Sequence, residues 1–449
     1  MGWGRGVAKG LATAALAVGA SLATSLVLDR VADRLDVGFR PRRNAPSADF
    51  RVERSEFSFR VVTNALGFRD PRLPVSKSPD VARVVVVGDS FTQGYGVAEE
   101  EAFPRRLEEL LRAKDHDRRW EVVNLGVPGT NPRDYVGNLR DVGLAYEPDV
   151  VLIAVGANDV HDVRVQPRSG SQFGWERLSE AQRAVLQPQP AWRALPRHLW
   201  PVLFPVARAR LTALLAEASP EARDDTDDSA SDPSPSTRVL DARWRDVLLA
   251  FADAYGRRAE VAETISSLPA ERLARIRRVL SGETAIASED GEDDYWSLVA
   301  LVQPDLMSDA VLLPPSYDDA WRRTAARLRA LVRLARRADA RVVMTLVPDQ
   351  HQVTARGRAV LDERGFRWDP RVLTDTTLVD RLQALAAAEG ATFIDLLDDF
   401  RERADEPLYF PRDGHWTAAG HDLAARVLAA GLERHGVTSC RADAASGAC

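Results

Sequence analysis

Two hydrophobic rhythms run along this chain. Val84-Val85-Val86-Val87 is an unbroken apolar run that ends at Gly88. Continuous burial of this kind predicts a strand of a parallel sheet, covered on both faces. A helix-like run follows from Glu99 to about Ala113. Trp120–Leu125 reads as a second strand, Arg133–Tyr146 as a helix capped by Thr130 or Asn131, and Asp149–Val155 as a third strand. Strand and helix alternating at this spacing predict right-handed βαβ units. The same alternation resumes late in the chain. Ala320–Ala338 carries Leu328, Leu331, Val332 and Leu334 on one helical face. Arg341–Val347 is a fourth strand, Pro348–Gln352 a loop, Leu378–Glu389 a helix and Ala391–Leu396 a fifth strand. Thr417 caps a last helix reaching about Arg434.

Between these two stretches the strand rhythm is absent. Residues 163–316 show helical runs at Glu176–Leu186, Pro205–Ala218, Arg238–Ala259 and Ala270–Leu280. Two acidic, polar interruptions, Asp224–Pro235 and Ser288–Asp294, bury too little apolar surface to order themselves and are expected to be mobile loops. Trp192, Trp200 and Trp244 are expected in the core of this helical insertion. Ahead of the valine run, Phe57–Thr63 is strand-like. Asn64–Asp70, turning at Gly67, is expected to pack on the sheet edge or the rim of a site.

Composition narrows the classes. The 449 residues have room for one large domain with an insertion, and 45% are apolar, as in a folded protein. A net charge of −6 offers no basic footprint for nucleic acid. No Cys-x-x-Cys pair or His cluster reads as a metal site, and no cofactor is implied. Cys440 and Cys449 lie in the last few residues, either pairing in an exported protein or standing as two free tail thiols. Leu11–Leu28 is uncharged, with Arg5 and Lys9 before it. This predicts an uncleaved membrane anchor and an extracytoplasmic body; secretion after cleavage near Val18-Gly19-Ala20 is the alternative.

Four polar elements fall at strand ends or in neighbouring loops: Asp89-Ser90, Asn124 with Gly126, Asn158-Asp159, and Asp413 with His415. In a doubly wound sheet these ends share one edge. Ester chemistry needs a nucleophile, a base and oxyanion donors. Ser90 is the candidate nucleophile, His415 the base, and Asp413 the residue that orients its ring. The Ser90 and Gly126 N–H groups and the Asn158 amide are the candidate oxyanion donors. Each such donor contributes about 3–4 kcal/mol in a transition state. Asp89 and Asp159 are expected mainly to hold loops. His351 and Gln352, after the fourth strand, are candidates for lining a pocket, together with Asp89, Asp159 and Trp416. His421 is a fallback base.

Gly88-Asp89-Ser90, Asn124-Leu125-Gly126, Gly156-x-Asn158-Asp159 and the late Asp413/His415 resemble, in order, the four blocks of the SGNH (GDSL-type) hydrolases. The resemblance spans about Val81–Val160 and Arg341–Arg434. It implies a flavodoxin-like α/β fold, a Ser-His-Asp triad and hydrolysis or transfer of an O-acyl ester. The family usually places two residues between Asp and His, whereas only Gly414 intervenes here. The Asp-x-His-Trp form is similar to that of relatives that acetylate or deacetylate exopolysaccharides. With this spacing Asp413 either reaches Nδ1 of His415 through a different turn or does not reach it.

The implied organisation is an N-terminal anchor or signal peptide (1–30), a connector and edge segment (31–82), a first hydrolase part (83–162), the helical insertion (163–316), a second hydrolase part (317–436) and a tail (437–449). The expected substrate is an O-acylated, chiefly O-acetylated, carbohydrate or small molecule. The alternatives are an O-acyltransferase to a glycan hydroxyl and a non-catalytic glycan-binding or assembly subunit.

Overall fold

The computed structural model describes residues 23–28, 31, 39–73, 76–115, 118–165, 175–186, 235–283 and 289–438. The chain divides into two units, residues 1–40 with 183–236, and residues 41–182 with 237–449. In the first unit the described residues include a helical turn over 23–28. The sheets and the site described below lie in the second.

A hairpin comes first: β1 (Asp49–Glu53) antiparallel to β2 (Ser58–Val62). It stands apart from the central sheet. The sheet is built from β3 (Val81–Val87), β4 (Arg119–Asn124), β5 (Val150–Val155), β6 (Arg341–Leu346) and β7 (Thr392–Ile394). All its pairings are parallel, in the order β4-β3-β5-β6-β7. The order reverses at β3, whose two neighbours are the next two strands in the sequence. A crevice opens at the carboxyl edge beside such a reversal, and this is where open α/β sheets take their ligands. Every residue of β3 and β5 is buried, which is why both read as apolar runs with no alternation.

Helices connect the strands: α1 (Ser90–Gln93), α2 (Phe103–Lys114), α3 (Pro132–Asp141), α4 (Ala157–Val165), α5 (Glu289–Val302), α6 (Leu306–Leu312), α7 (Asp318–Arg337), α8 (Gln350–Val353), α9 (Ala355–Arg364), α10 (Thr377–Glu389) and α11 (Ala418–Arg434). α2 packs on α11, while α7 packs on α3, α4 and α10. Leu328, Leu331 and Val332 of α7 are fully buried, as the helical spacing predicts. Asn131 caps α3 by accepting from the Arg133 N–H, and Thr417 caps α11.

The described part of 163–316 is helical, including Trp175–Leu186, Pro235–Ala242, Trp244–Asp253, Arg258–Thr264 and Ala270–Ser281. Trp244 is half-buried. Trp192, Trp200, the run Pro205–Ala218 and the acidic run from Asp224 through Ser234 lie outside the described residues, as do Cys440 and Cys449. The second acidic run departs from expectation. From Glu289 onward it is the first turns of α5, because its acids find cations: Asp294 pairs with Arg278, and Asp293 with Arg364 and Arg412. The loop after β6 also departs, folding into α8 and α9. Among the described residues no helix is long and apolar enough to cross a membrane. Leu11–Leu22 of the apolar N-terminal run lies outside them.

Arg72 fastens the edge segment to the sheet. Its guanidinium donates to both Asp70 carboxylate oxygens (2.9 and 3.0 Å) and pairs with Glu108. Asp70 in turn accepts the Asn124 N–H and Glu108 the Val122 N–H, both on β4. Both carboxylates are almost fully buried. Arg72→Met leaves buried Asp70 without its cation, while Glu108 keeps Arg105 and Arg112, and we expect it to lower unfolding stability by about 3 kcal/mol in urea titration.

Candidate active site

The segment after β3 presents Ser90. Asp89 caps α1, its Oδ1 accepting the Phe91 N–H at 3.0 Å, and Gly94 ends this single turn in the left-handed conformation (φ +82°). The buried guanidinium of Arg69 donates to the carbonyls of Gly94 (2.7 Å), Val97 (2.9 Å) and Arg60 (2.8 Å). Burial lowers Arg69 to about 10, against the attraction of Glu99 and Glu100. The Asn64–Asp70 turn therefore packs on the rim of the site, holding the loop that follows Ser90.

His415 arrives from the other end of the chain. Tyr409 and Trp416 form an antiparallel bridge that closes the loop between them. Within it, the Phe410 N–H donates to the His415 carbonyl (2.9 Å) and the Gly414 N–H to the Phe410 carbonyl (3.0 Å). Gly414 sits at φ +89°, a conformation that costs a residue with a side chain dearly. That turn makes the short Asp-x-His spacing workable. Both the backbone N–H (3.1 Å) and the ring Nδ1 (2.5 Å) of His415 reach Asp413 Oδ1. The other ring nitrogen, Nε2, lies 2.8 Å from Ser90 Oγ. The imidazole is flanked by Phe91 and Tyr95, with ring centroids 4.8 and 4.7 Å away. Burial works to raise the Asp413 carboxyl, but His415, by its charge and hydrogen bonds, outweighs this and holds it below the ordinary value.

Ser90 and His415 open into a cavity of about 450 Å³, whose walls include Gly129, Asn158, Trp296, Leu306 and Asp349. The Asn158 amide donates one hydrogen to Asp89 Oδ2 at 3.0 Å, which leaves its second hydrogen for another acceptor. Gly126 is a correction to the sequence reading. Its N–H donates to Asn124 Oδ1 at 2.8 Å, and a Cβ there would meet the backbone of Thr92 and Gln93. It serves close packing behind α1. The glycine at the cavity is Gly129, in the left-handed region at φ +73°, and no hydrogen bond from its N–H is present among the described residues. Both glycines lie in one loop, and only the path of the Asn124 side chain separates them.

The remaining predicted residues divide. Asp89 and His351 line the cavity. His351 Nε2 faces the Met307 carbonyl at 3.2 Å, and burial lowers its pKa to about 4, so it is neutral and donates there. Gln352 is buried behind the wall, where its Oε1 accepts the Asp349 N–H. Asp159 is fully buried, accepting the Tyr135 hydroxyl and the Gly156 N–H. Trp416 is 1% exposed and packs among Phe91, Phe103 and Phe400. These three therefore hold structure and do not line the cavity. His421 is also buried, its Nδ1 accepting the Phe103 N–H at 3.2 Å. Burial, helped by the His415 and Arg69 charges, lowers it to about 3. It is a neutral core residue and cannot stand in for His415. Among the described residues no cluster of three or more His, Cys, Asp or Glu could hold a metal ion.

Asp349, after β6, was not legible in the sequence. Burial first, and then the Asp89 charge, push it up to about 7, against the pull of His415. An acid raised in the fold costs no stability below its unfolded value near pH 4, and a growing amount as pH rises to its folded value. Because the carboxyl is half-buried and faces a cavity, solvent screens part of that cost. Asp349→Asn is expected to gain about 1–2 kcal/mol over the native protein between roughly pH 5 and pH 8, as measured by urea unfolding at both pH values.

Two family models match this chain, and between them they cover more than half of it. The GDSL-like lipase/acylhydrolase family matches residues 86–253. The SGNH hydrolase-like domain of the acetyltransferase AlgX matches residues 306–446. Comparison with curated proteins finds no match. Among solved structures, a catalytic mutant of Axe2, an acetylxylan esterase from Geobacillus stearothermophilus, is 13% identical, covers 80% of this chain and 96% of its own, and has a TM-score of 0.34. LAE5, an α/β hydrolase from the metagenome of Lake Arreo, is 13% identical, covers 78% and 95%, and has a TM-score of 0.31. The two family models agree with the ordered Gly-Asp-Ser, Asn-Asp and Asp-x-His blocks: the chain belongs to the SGNH (GDSL-type) hydrolases, enzymes that hydrolyse or transfer ester-linked acyl groups.

Proposed function

We propose that this protein is a serine esterase that removes O-acyl groups, chiefly O-acetyl, from a carbohydrate through an acyl-Ser90 intermediate. The observation that carries this reading is the 2.8 Å contact between Ser90 Oγ and His415 Nε2, with Nδ1 on Asp413. Ser90 Oγ attacks the ester carbonyl carbon as His415 Nε2 takes its proton. The negative charge gathers on the former carbonyl oxygen. The free hydrogen of the Asn158 amide and the N–H groups of Ser90 and Gly129 are the donors available to it. As the C–O bond breaks, the imidazolium returns the proton to the leaving sugar oxygen. Water, deprotonated by His415, then attacks the acyl-serine, and Ser90 recovers its proton. Asp413 stays ionised throughout, holding the ring and balancing the imidazolium.

Transfer is the second reading. The match of residues 306–446 to the AlgX acetyltransferase model favours it. A glycan hydroxyl takes the place of water in the second half-reaction, with the same residues in the same roles. The non-catalytic alternative drew its support from the short Asp-x-His spacing. The contact from His415 Nδ1 to Asp413 removes that support. The uncharged run Leu11–Leu28, behind Arg5 and Lys9, supports a catalytic body held outside the cytoplasm on an N-terminal anchor.

With p-nitrophenyl acetate and the full chain, Ser90→Ala and His415→Ala are each expected to lower kcat by roughly 10³-fold or more. Turnover at the native rate in Ser90→Ala contradicts the assignment. Free acetate as the whole product in the presence of a glycan acceptor favours hydrolysis; acetylated glycan favours transfer.

A further inference from the structure

The hairpin β1–β2 belongs to neither the central sheet nor the reaction described above, and a two-stranded ribbon by itself is marginal. Its inner face, Phe57, Phe59 and Val61, is buried against Tyr95 and Phe410. Phe57 lies 4.6 Å from Phe410 and 5.6 Å from Tyr95, centroid to centroid. Tyr95 is in turn one of the two rings flanking His415. Between the strands, Glu56 reaches across to the loop that carries Asp413 and His415. The Arg412 N–H lies 2.9 Å from both Glu56 carboxylate oxygens, and the Asp413 N–H donates to Oε2 at 2.8 Å. The Arg412 guanidinium is engaged elsewhere, with Asp293 and Glu363. Glu56 therefore grips the main chain of this loop rather than its cation.

Resting on the Ser90–His415–Asp413 reading, we propose that Glu56 is a positioning residue for the catalytic loop, its carboxylate fixing the backbone from which Asp413 aims at His415. The loop needs such an anchor. Its other backbone bonds are the Tyr409–Trp416 bridge, the turn bonds at Phe410 and Gly414, the His415 N–H on Asp413 Oδ1, and the carbonyls of Phe410, Pro411 and Arg412, which accept from Gln350 and Arg364. None of these takes the N–H of residue 412 or 413. Without Glu56 both N–H groups lose their protein acceptor, and the segment that sets the Asp413 carboxyl is held only through its carbonyls and the Arg412 side chain, so its amides can turn toward water. An error of about 1 Å in such a group costs on the order of 10²-fold in rate. Glu56 touches neither substrate nor reacting atoms, so its effect falls on kcat and leaves binding alone.

Glu56→Ala and Glu56→Asp, the second keeping the charge but one methylene too short, are compared with Glu56→Gln in the full chain. Gln keeps an oxygen that can accept both N–H groups. Ala and Asp are expected to lower kcat for p-nitrophenyl acetate roughly 10- to 100-fold with KM within about 3-fold of native, and Gln to stay within about 5-fold of the native kcat. Glu53→Gln, on the same hairpin but away from the loop, is expected to match native. If Ala does not fold, Asp against Gln decides. Native kcat in Ala or Asp overturns the proposal, as does Gln performing no better than Asp. Ser90→Ala runs beside them. If it is inactive while the Glu56 variants are native, only the positioning role falls; if it is native, the reading of the site falls and the positioning role with it.

Discussion

One hydrogen bond, from the hydroxyl of Ser90 to Nε2 of His415, joins parts of the chain 325 positions apart. Such a contact is no stronger than any other neutral hydrogen bond, about 1 kcal/mol net. It cannot hold its own geometry, so the fold must hold it. On one side this falls to a fully buried strand, the Asp89 cap and the Arg69 grip on the carbonyls beyond α1. On the other it falls to the Tyr409–Trp416 bridge, the left-handed Gly414 and Trp416 packed in the core. Each anchor is rigid in its own right, and the crevice beside β3 brings the two together.

The electrostatics follow from that convergence. Three carboxyl groups, Asp89, Asp349 and Asp413, share a cavity wall with the His415 imidazole. They are not equivalent. Asp413 touches the ring and is held ionised, whereas burial raises Asp89 and Asp349. The sorting is physical: the acid in direct contact with His415 is held ionised, while burial in a partly dry space works against the charge of the other two. The Asp413 charge thus stands directly behind the base. Asp89, bonded to the Asn158 amide and the Phe91 N–H, acts as a brace.

Much of this was legible in the sequence, for a reason particular to parallel sheets. Buried strands such as Val84–Val87 announce themselves as apolar runs, and polar residues just beyond them fall on one edge by topology. Ser90 and Asn158 were found that way, and Asp413 and His415, in a loop well past β7, by their Asp-x-His block. What escaped depends on side-chain paths that no spacing encodes. Gly126 and Gly129 share a loop, and the bond from Gly126 to Asn124 decides between them. Asp349 is a lone acid until Asp89 and His415 come near. Glu56 meets Asp413 across 357 positions. The acidic run at 288–294 read as solvated because Arg278, Arg364 and Arg412, which neutralise it, are remote in the chain or belong to other helices.

The central claim is that Ser90 forms a covalent acyl intermediate under the control of His415. Rapid acid quench of the full chain mixed with p-nitrophenyl acetate, followed by peptide mass analysis, tests it most directly. The account predicts one acetyl mass on the peptide containing Ser90 in the native protein, and none there in His415→Ala within the same time. An acetyl group on another residue, or turnover with Ser90 never modified, would contradict it.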